Sequence, residues 1–205
     1  MNHTGTYLAS GGLSALLVTA FLTLPHAPTT DAVPTLQAPE CAKSAMPLEG
    51  RASPLDSASV DLHGTTIKVC YGRPSARGRT MIGGEHVPFG ELWRTGANEA
   101  TVLHTTGPIR FGEVTLEEGS YAIYSRPGAE EWEFYLSRST GHWGNQITEE
   151  VRAQEVGSVT AGRDRPAEHV ETLTIRFGQV SGHSVPFIVE WEEFRVTVPV
   201  EMVHD

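Results

Sequence analysis

Apolar and polar residues alternate in a series of short segments from residue 60 onward. In EWEFYLS, residues 131–137, Trp132, Phe134 and Leu136 share one face, the period of a half-buried strand. Similar β-rich alternation runs through residues 60–71, 100–105, 169–177, 187–191 and 194–200. His63-Gly64 interrupts the first of these as a hairpin or bulge would. Residues 109–116 and 120–125 read as strands flanking a Glu117-Glu118-Gly119 turn, and Pro127-Gly128 marks another turn. Residues 149–159 fit either a short helix or an irregular strand. Short strands separated by Gly and Pro turns predict an all-β fold, an antiparallel sandwich or barrel-like domain.

Two segments precede that domain. LASGGLSALLVTAFLTL, residues 8–24, is uncharged and mostly apolar, and Pro25 ends it. It reads as a signal peptide, cleaved after Ala27 or Ala32, or as a retained N-terminal anchor. Residues 28–57 are rich in Pro, Ala, Ser and Thr without a period, as in a flexible linker. The expected organisation is therefore a signal or anchor segment over 1–27, a disordered linker over 28–57 and a single β domain over 58–203. That order implies export to a periplasmic or extracellular space, with membrane contact only through an uncleaved N-terminus. Cys41 and Cys70 are the two cysteines. An exported chain permits a bridge between them, and two free thiols are the alternative.

Charge narrows the partners. A net charge of −10 argues against non-specific nucleic-acid binding and against docking on anionic lipid. Within that acidic chain, Arg73, Arg77, Arg79 and Arg94 fall in one glycine-rich stretch, with Glu85 and Glu91 the acids between them. Guanidinium groups are suited to bidentate recognition of carboxylate or phosphate. The four arginines are thus candidates for a small anionic ligand, or else braces paired with Glu85, Glu91 and Glu99. Asn98 and Glu99 follow a glycine and lead into a strand, where functional loop residues tend to sit. Glu99 is a candidate general acid or base, with Arg94 or Asn98 stabilising charge. The competing reading pairs Glu99 with Arg94. The histidines show no H-E-x-x-H or H-x-H spacing, so no metal or cofactor is expected. Tyr71, Tyr121, Trp93, Trp132 and Trp143 are either core or a platform for a sugar.

The same stretch carries a resemblance. Tyr71-Gly72-Arg73-Pro74, Arg77-Gly78-Arg79, Val87-Pro88-Phe89-Gly90 and the run WRTGANEAT from Trp93 to Thr101 resemble the signature of the bacterial "domain of unknown function 2911" family. Glu118-Gly119-Ser120-Tyr121, Pro127-Gly128 with Glu131-Trp132, and Trp143-Gly144 resemble its later motifs, so the likeness spans roughly residues 55 to 203. Phe89 stands where the family usually has Tyr, and Glu85-His86 is inserted before Val87. The resemblance implies an exported bacterial domain and no particular activity. Three functions fit the chain: a module binding a small anionic or carbohydrate-like ligand or an envelope component; a hydrolase or lyase using Glu99 with Arg94 and Asn98; and a purely structural envelope domain.

Overall fold

The computed structural model describes residues 1–3, 5, 39–41 and 46–203. Nearly all of the expected signal or anchor segment, and residues 28–38 and 42–45 of the expected linker, lie outside the described residues. The chain divides into Met1–Pro34 and Thr35–Asp205, and the second unit carries every strand described below.

The alternating segments become antiparallel strands. β1 (Leu55–Leu62) and β2 (Thr65–Gly72) form a hairpin. His63 and Gly64 join them with φ of 53° and 90°, the two positive values that a two-residue hairpin turn matching strand twist requires. β1 starts inside the segment expected to be linker. β3 (Thr101–Thr105) pairs with β2 and with β6 (Gly119–Pro127). The expected strand over 109–116 is instead two short strands, β4 (Ile109–Phe111) and β5 (Val114–Leu116). Gly112, at φ 56°, folds them into a hairpin that the apolar pattern alone does not reveal. β6 pairs with β7 (Glu131–Ser137) and β7 with β8 (Glu155–Asp164). The ambiguous segment resolves into both options, a four-residue helix α1 (Glu149–Arg152) followed by β8. β9 (Val170–Phe177), β10 (Ser184–Glu192) and β11 (Phe194–Met202) complete the set.

The eleven strands form one sheet, in the order β1-β2-β3-β6-β7-β8-β11-β10-β9, with the β4–β5 hairpin attached to β11. β8 joins the halves because its end, Arg163 and Asp164, pairs with β11. The sheet curls until β9 lies beside β1 and β2, giving a nearly closed antiparallel barrel. The inward faces supply the core: Trp132, Phe134 and Leu136 from β7 meet Ile67, Leu103, Phe187, Trp191 and Val198. Each such apolar side chain, fully buried, contributes about 1.5–3 kcal/mol. Cys41 and Cys70 are bridged, with Cα atoms 5.6 Å apart and a sequence separation of 29. Closing a loop of that length contributes about 3–4 kcal/mol by restricting the unfolded chain.

The tight turn from β10 to β11 contains neither Gly nor Asn. Glu192 adopts φ 52° there, a left-handed conformation costing about 1–3 kcal/mol in a non-glycine residue. Its buried carboxylate accepts backbone N–H bonds from Met81 at 2.9 and 3.1 Å and from Ile82 at 2.8 Å. These bonds tie the long loop after β2 to the far hairpin. Glu192→Ala leaves the N–H groups of Met81 and Ile82 without acceptors and is expected to lower stability by about 2–4 kcal/mol in urea unfolding. Glu192→Gln, which keeps one acceptor oxygen, is expected to lose less.

Candidate functional site

The residues after β2 first close the barrel. Ile175 donates its N–H to the Tyr71 hydroxyl at 3.0 Å. Arg73 donates from Nε to the Leu173 carbonyl at 3.1 Å, and Leu173 N–H to the Pro74 carbonyl at 2.9 Å. Ser75 and Thr172 hydroxyls lie 2.8 Å apart, and Ala76 N–H reaches the Glu171 carbonyl at 2.9 Å. The Tyr-Gly-Arg-Pro motif is thus a seam along β9. Glycine is required at 72 because a Cβ there would lie 1.8 Å from the Ala97 carbonyl oxygen.

The seam distributes the arginines unequally. Arg73 pairs with Asp56 at 3.3 Å, not with Glu85, Glu91 or Glu99. Arg77 takes φ 53° ahead of Gly78, its N–H donates to a Glu171 carboxylate oxygen at 2.5 Å, and its guanidinium reaches the Ala52 carbonyl at 3.0 Å. Arg79 turns back over the seam, donating to the carbonyls of Ala76 at 2.9 Å and Ser75 at 3.2 Å, with His86 Nε2 3.4 Å from its Nη1.

The second motif hangs from Trp93. Its indole is buried, stacks on Trp191 at 5.8 Å and meets Trp132 edge-on at 6.0 Å. The Trp93 backbone N–H and carbonyl both pair with the Ser125 backbone. Beyond that anchor the backbone is contorted: Thr95 has φ 55° and Asn98 φ 64°. A β-branched residue at positive φ is a steric outlier. Fully buried Thr95 is held there by its hydroxyl bond to Ser125 Oγ at 2.9 Å and by the Thr101 hydroxyl on its carbonyl at 2.9 Å. The contortion projects Arg94 and Asn98 to the same side. Asn145, from the loop after Trp143-Gly144, accepts from Arg94 N–H at 3.2 Å and Nη1 at 3.0 Å. Burial pulls the Arg94 guanidinium below its usual pKa range, and the Glu99 carboxylate opposes the shift.

Glu99 is paired, but not with Arg94. Both its oxygens accept from Arg51, at 2.6 and 3.2 Å, in a pair whose side chains are 2% and 15% exposed. Arg51 lies in the expected linker, where nothing in the sequence marks it. The same segment reaches the motif again at Ser53, whose carbonyl accepts from Asn98 Nδ2 at 3.0 Å.

These elements leave a cavity of about 380 Å³, lined among others by Arg79, His86, Trp93, Arg94, Asn98 and Asn145. Of the predicted site residues it brings together Arg79, Arg94 and Asn98, and it leaves Arg73, Arg77 and Glu99 out. Neither Arg79 nor Arg94 has a carboxylate within ion-pair distance among the described residues. Asn145 was legible only as a neighbour of the Trp143-Gly144 motif. A slightly larger cavity of about 420 Å³ lies beside Arg110 and Glu201. Those two side chains neutralise each other, so they offer a ligand little uncompensated charge. Arg79 also borders a third cavity, of about 390 Å³, with Glu171 and Glu193 in its wall. Tyr71, Tyr121, Trp93 and Trp132 are core residues. Among the described residues no cluster of His, Cys, Asp and Glu is arranged to hold a metal ion.

The family model described as a protein of unknown function, DUF2911, matches residues 53–200, and the chain belongs to that family. No curated protein and no solved structure matches it.

Arg51→Ala strips Glu99 of its bidentate donor, and a cost of about 3 kcal/mol in urea unfolding is expected, as for a broken buried pair. His104 is held below its usual pKa by burial and then by Lys68. His142 is lowered by burial and by Arg94, against a bond to the Ser139 carbonyl. Unfolding lets both histidines take up protons near their ordinary value of about 6.5. Their contribution to stability is therefore complete above about pH 6.5 and is lost as pH falls through the folded values. The thermal midpoint should hold from pH 8 to 7 and drop below about pH 6.5, with a shallower drop in His142→Gln.

Proposed function

We propose that this domain binds a small anionic ligand in the cavity between Arg79 and Arg94. The observation that carries the reading is two guanidinium groups without carboxylate partners lining one cavity of an acidic protein. Asn145 orients Arg94 through two bonds, and partial burial strengthens any charge-assisted bond made there. The left-handed Thr95 and Asn98 add to this, because strained backbone concentrates at ligand sites.

The other readings draw less support. Catalysis by Glu99 needs a free carboxylate, and Arg51 occupies both of its oxygens. The structural reading accounts for Arg73 and Arg77, which brace the seam, and for part of Arg79, whose guanidinium bonds the Ala76 and Ser75 carbonyls, but not for Arg94. The Cys41–Cys70 bridge supports an exported location, since such bridges persist in oxidising compartments. An envelope setting, with the N-terminal segment as signal or anchor, belongs to the same proposal.

Titration of the full chain with inorganic phosphate and with glucuronate, followed by thermal shift and calorimetry, tests the reading. A ligand that binds only the native state raises the midpoint with concentration. Arg94→Gln is expected to weaken binding about 10- to 100-fold, the loss of a charge-assisted contact, while its own midpoint stays near that of the parent. Unchanged affinity in Arg94→Gln, or no shift with any anion, overturns the proposal.

A further inference from the structure

We propose that the anion taken by this cavity also carries a hydroxyl group, as in a small hydroxy acid or a sugar phosphate, and that Asn98 recognises that hydroxyl. The inference rests on the anion-binding reading and is drawn from the hydrogen-bonding groups the cavity leaves unused.

The chemistry of the neighbours fixes both amides. Asn98 faces the Ser53 carbonyl at 3.0 Å. A carbonyl only accepts, so the atom facing it is the Asn98 nitrogen, and Oδ1 is the end left over. Asn145 faces two donors, Arg94 N–H and Nη1. There the facing atom is the oxygen, and the Asn145 NH₂ is left over. Arginine has donors only. The side chains of Arg79, Arg94 and Asn145 in the cavity wall therefore bring donors, and the Asn98 amide beside them brings an acceptor oxygen.

An anion without a hydroxyl satisfies the donors but sets its own oxygens against Asn98 Oδ1. A ligand with an anionic group and a hydroxyl satisfies both sets. The cavity's indoles do not offer an alternative grip on a sugar, because Trp93 and Trp191 are buried and stack on each other at 5.8 Å. Recognition of hydroxyls falls to the amide. A volume of about 380 Å³ is near the lower end for ligand pockets, roughly 300–1,000 Å³, which limits the ligand to about the size of one sugar unit.

Calorimetry of the full chain with matched ligand pairs tests this. Glucuronate is compared with cyclohexanecarboxylate, and glucose 6-phosphate with cyclohexyl phosphate, so the two pairs separate a carboxylate source from a phosphate source. Neutral glucose is the control for the charge. The hydroxylated member of at least one pair is expected to bind about tenfold tighter, the usual scale for one hydrogen bond in a partly open site, and glucose not measurably. Asn98→Gly tolerates the left-handed backbone and is expected to bring the ratio within each pair close to one. Should that variant fail to fold, the ratio measured on the parent chain decides alone. Equal affinities within both pairs overturn the hydroxyl assignment and leave anion binding standing. Absence of binding by every anion removes both together.

Discussion

Closure of the sheet along residues 71–76 is the constraint on which the rest of the molecule depends. An open antiparallel sheet would leave the backbone groups of β9 exposed as a pairing template. Here they are taken up by the tail of β2 through a mixture of backbone bonds, the Tyr71 hydroxyl and the Arg73 guanidinium. Side chains enter because the chain is leaving the strand at Pro74, which has no N–H to give. The seam brings the loop after it across the barrel, where Glu192 binds it from the far hairpin. One stretch of sequence thus both closes the fold and forms a wall of the cavity.

Left-handed residues recur where this closure meets the cavity. Arg77, Thr95, Asn98 and Glu192 all have positive φ. Each is held by specific bonds: Glu171 to the Arg77 N–H, two hydroxyls around Thr95, the Ser53 carbonyl on the Asn98 amide, and two N–H groups on the Glu192 carboxylate. Conformations that cost about 1–3 kcal/mol apiece persist only under such restraint. The restraint places Arg94 and Asn98 on one side of a rigid turn, with Trp93 locked in the core as its pivot. The segment around Arg51 and Ser53 then braces this turn from outside, and the Cys41–Cys70 bridge ties the chain just before that segment to β2.

The arginines separate by the same logic. A guanidinium that meets fixed carbonyls or a carboxylate at the seam becomes a brace, as Arg73 does with Leu173, Thr174 and Asp56. Arg94, away from the seam, meets only the Asn145 side chain among the described residues and keeps donors free. Distance along the chain does not sort them, because Arg77 and Arg79 are two residues apart and point to different surroundings. Acids close in sequence were poor guides as well. Arg94 and Glu99 lie near each other, yet Glu99 is held by Arg51 from a segment that reads as linker.

By itself the sequence determined the all-β class, the family and the address of the candidate site. Alternation such as Trp132, Phe134 and Leu136 carries the side-chain period of a strand directly, and the arginine and Trp-Arg-Thr-Gly motifs are local runs. It did not determine the break of residues 109–116 into a hairpin, the role of Arg51 or Glu192, or which arginines stay unpaired. Those depend on contacts between residues far apart in the chain: Arg51 with Glu99, Glu192 with Met81, Asn145 with Arg94. Ion pairs and backbone bonds form between whichever groups the closed barrel sets within about 3 Å, and only the tertiary structure decides which groups those are.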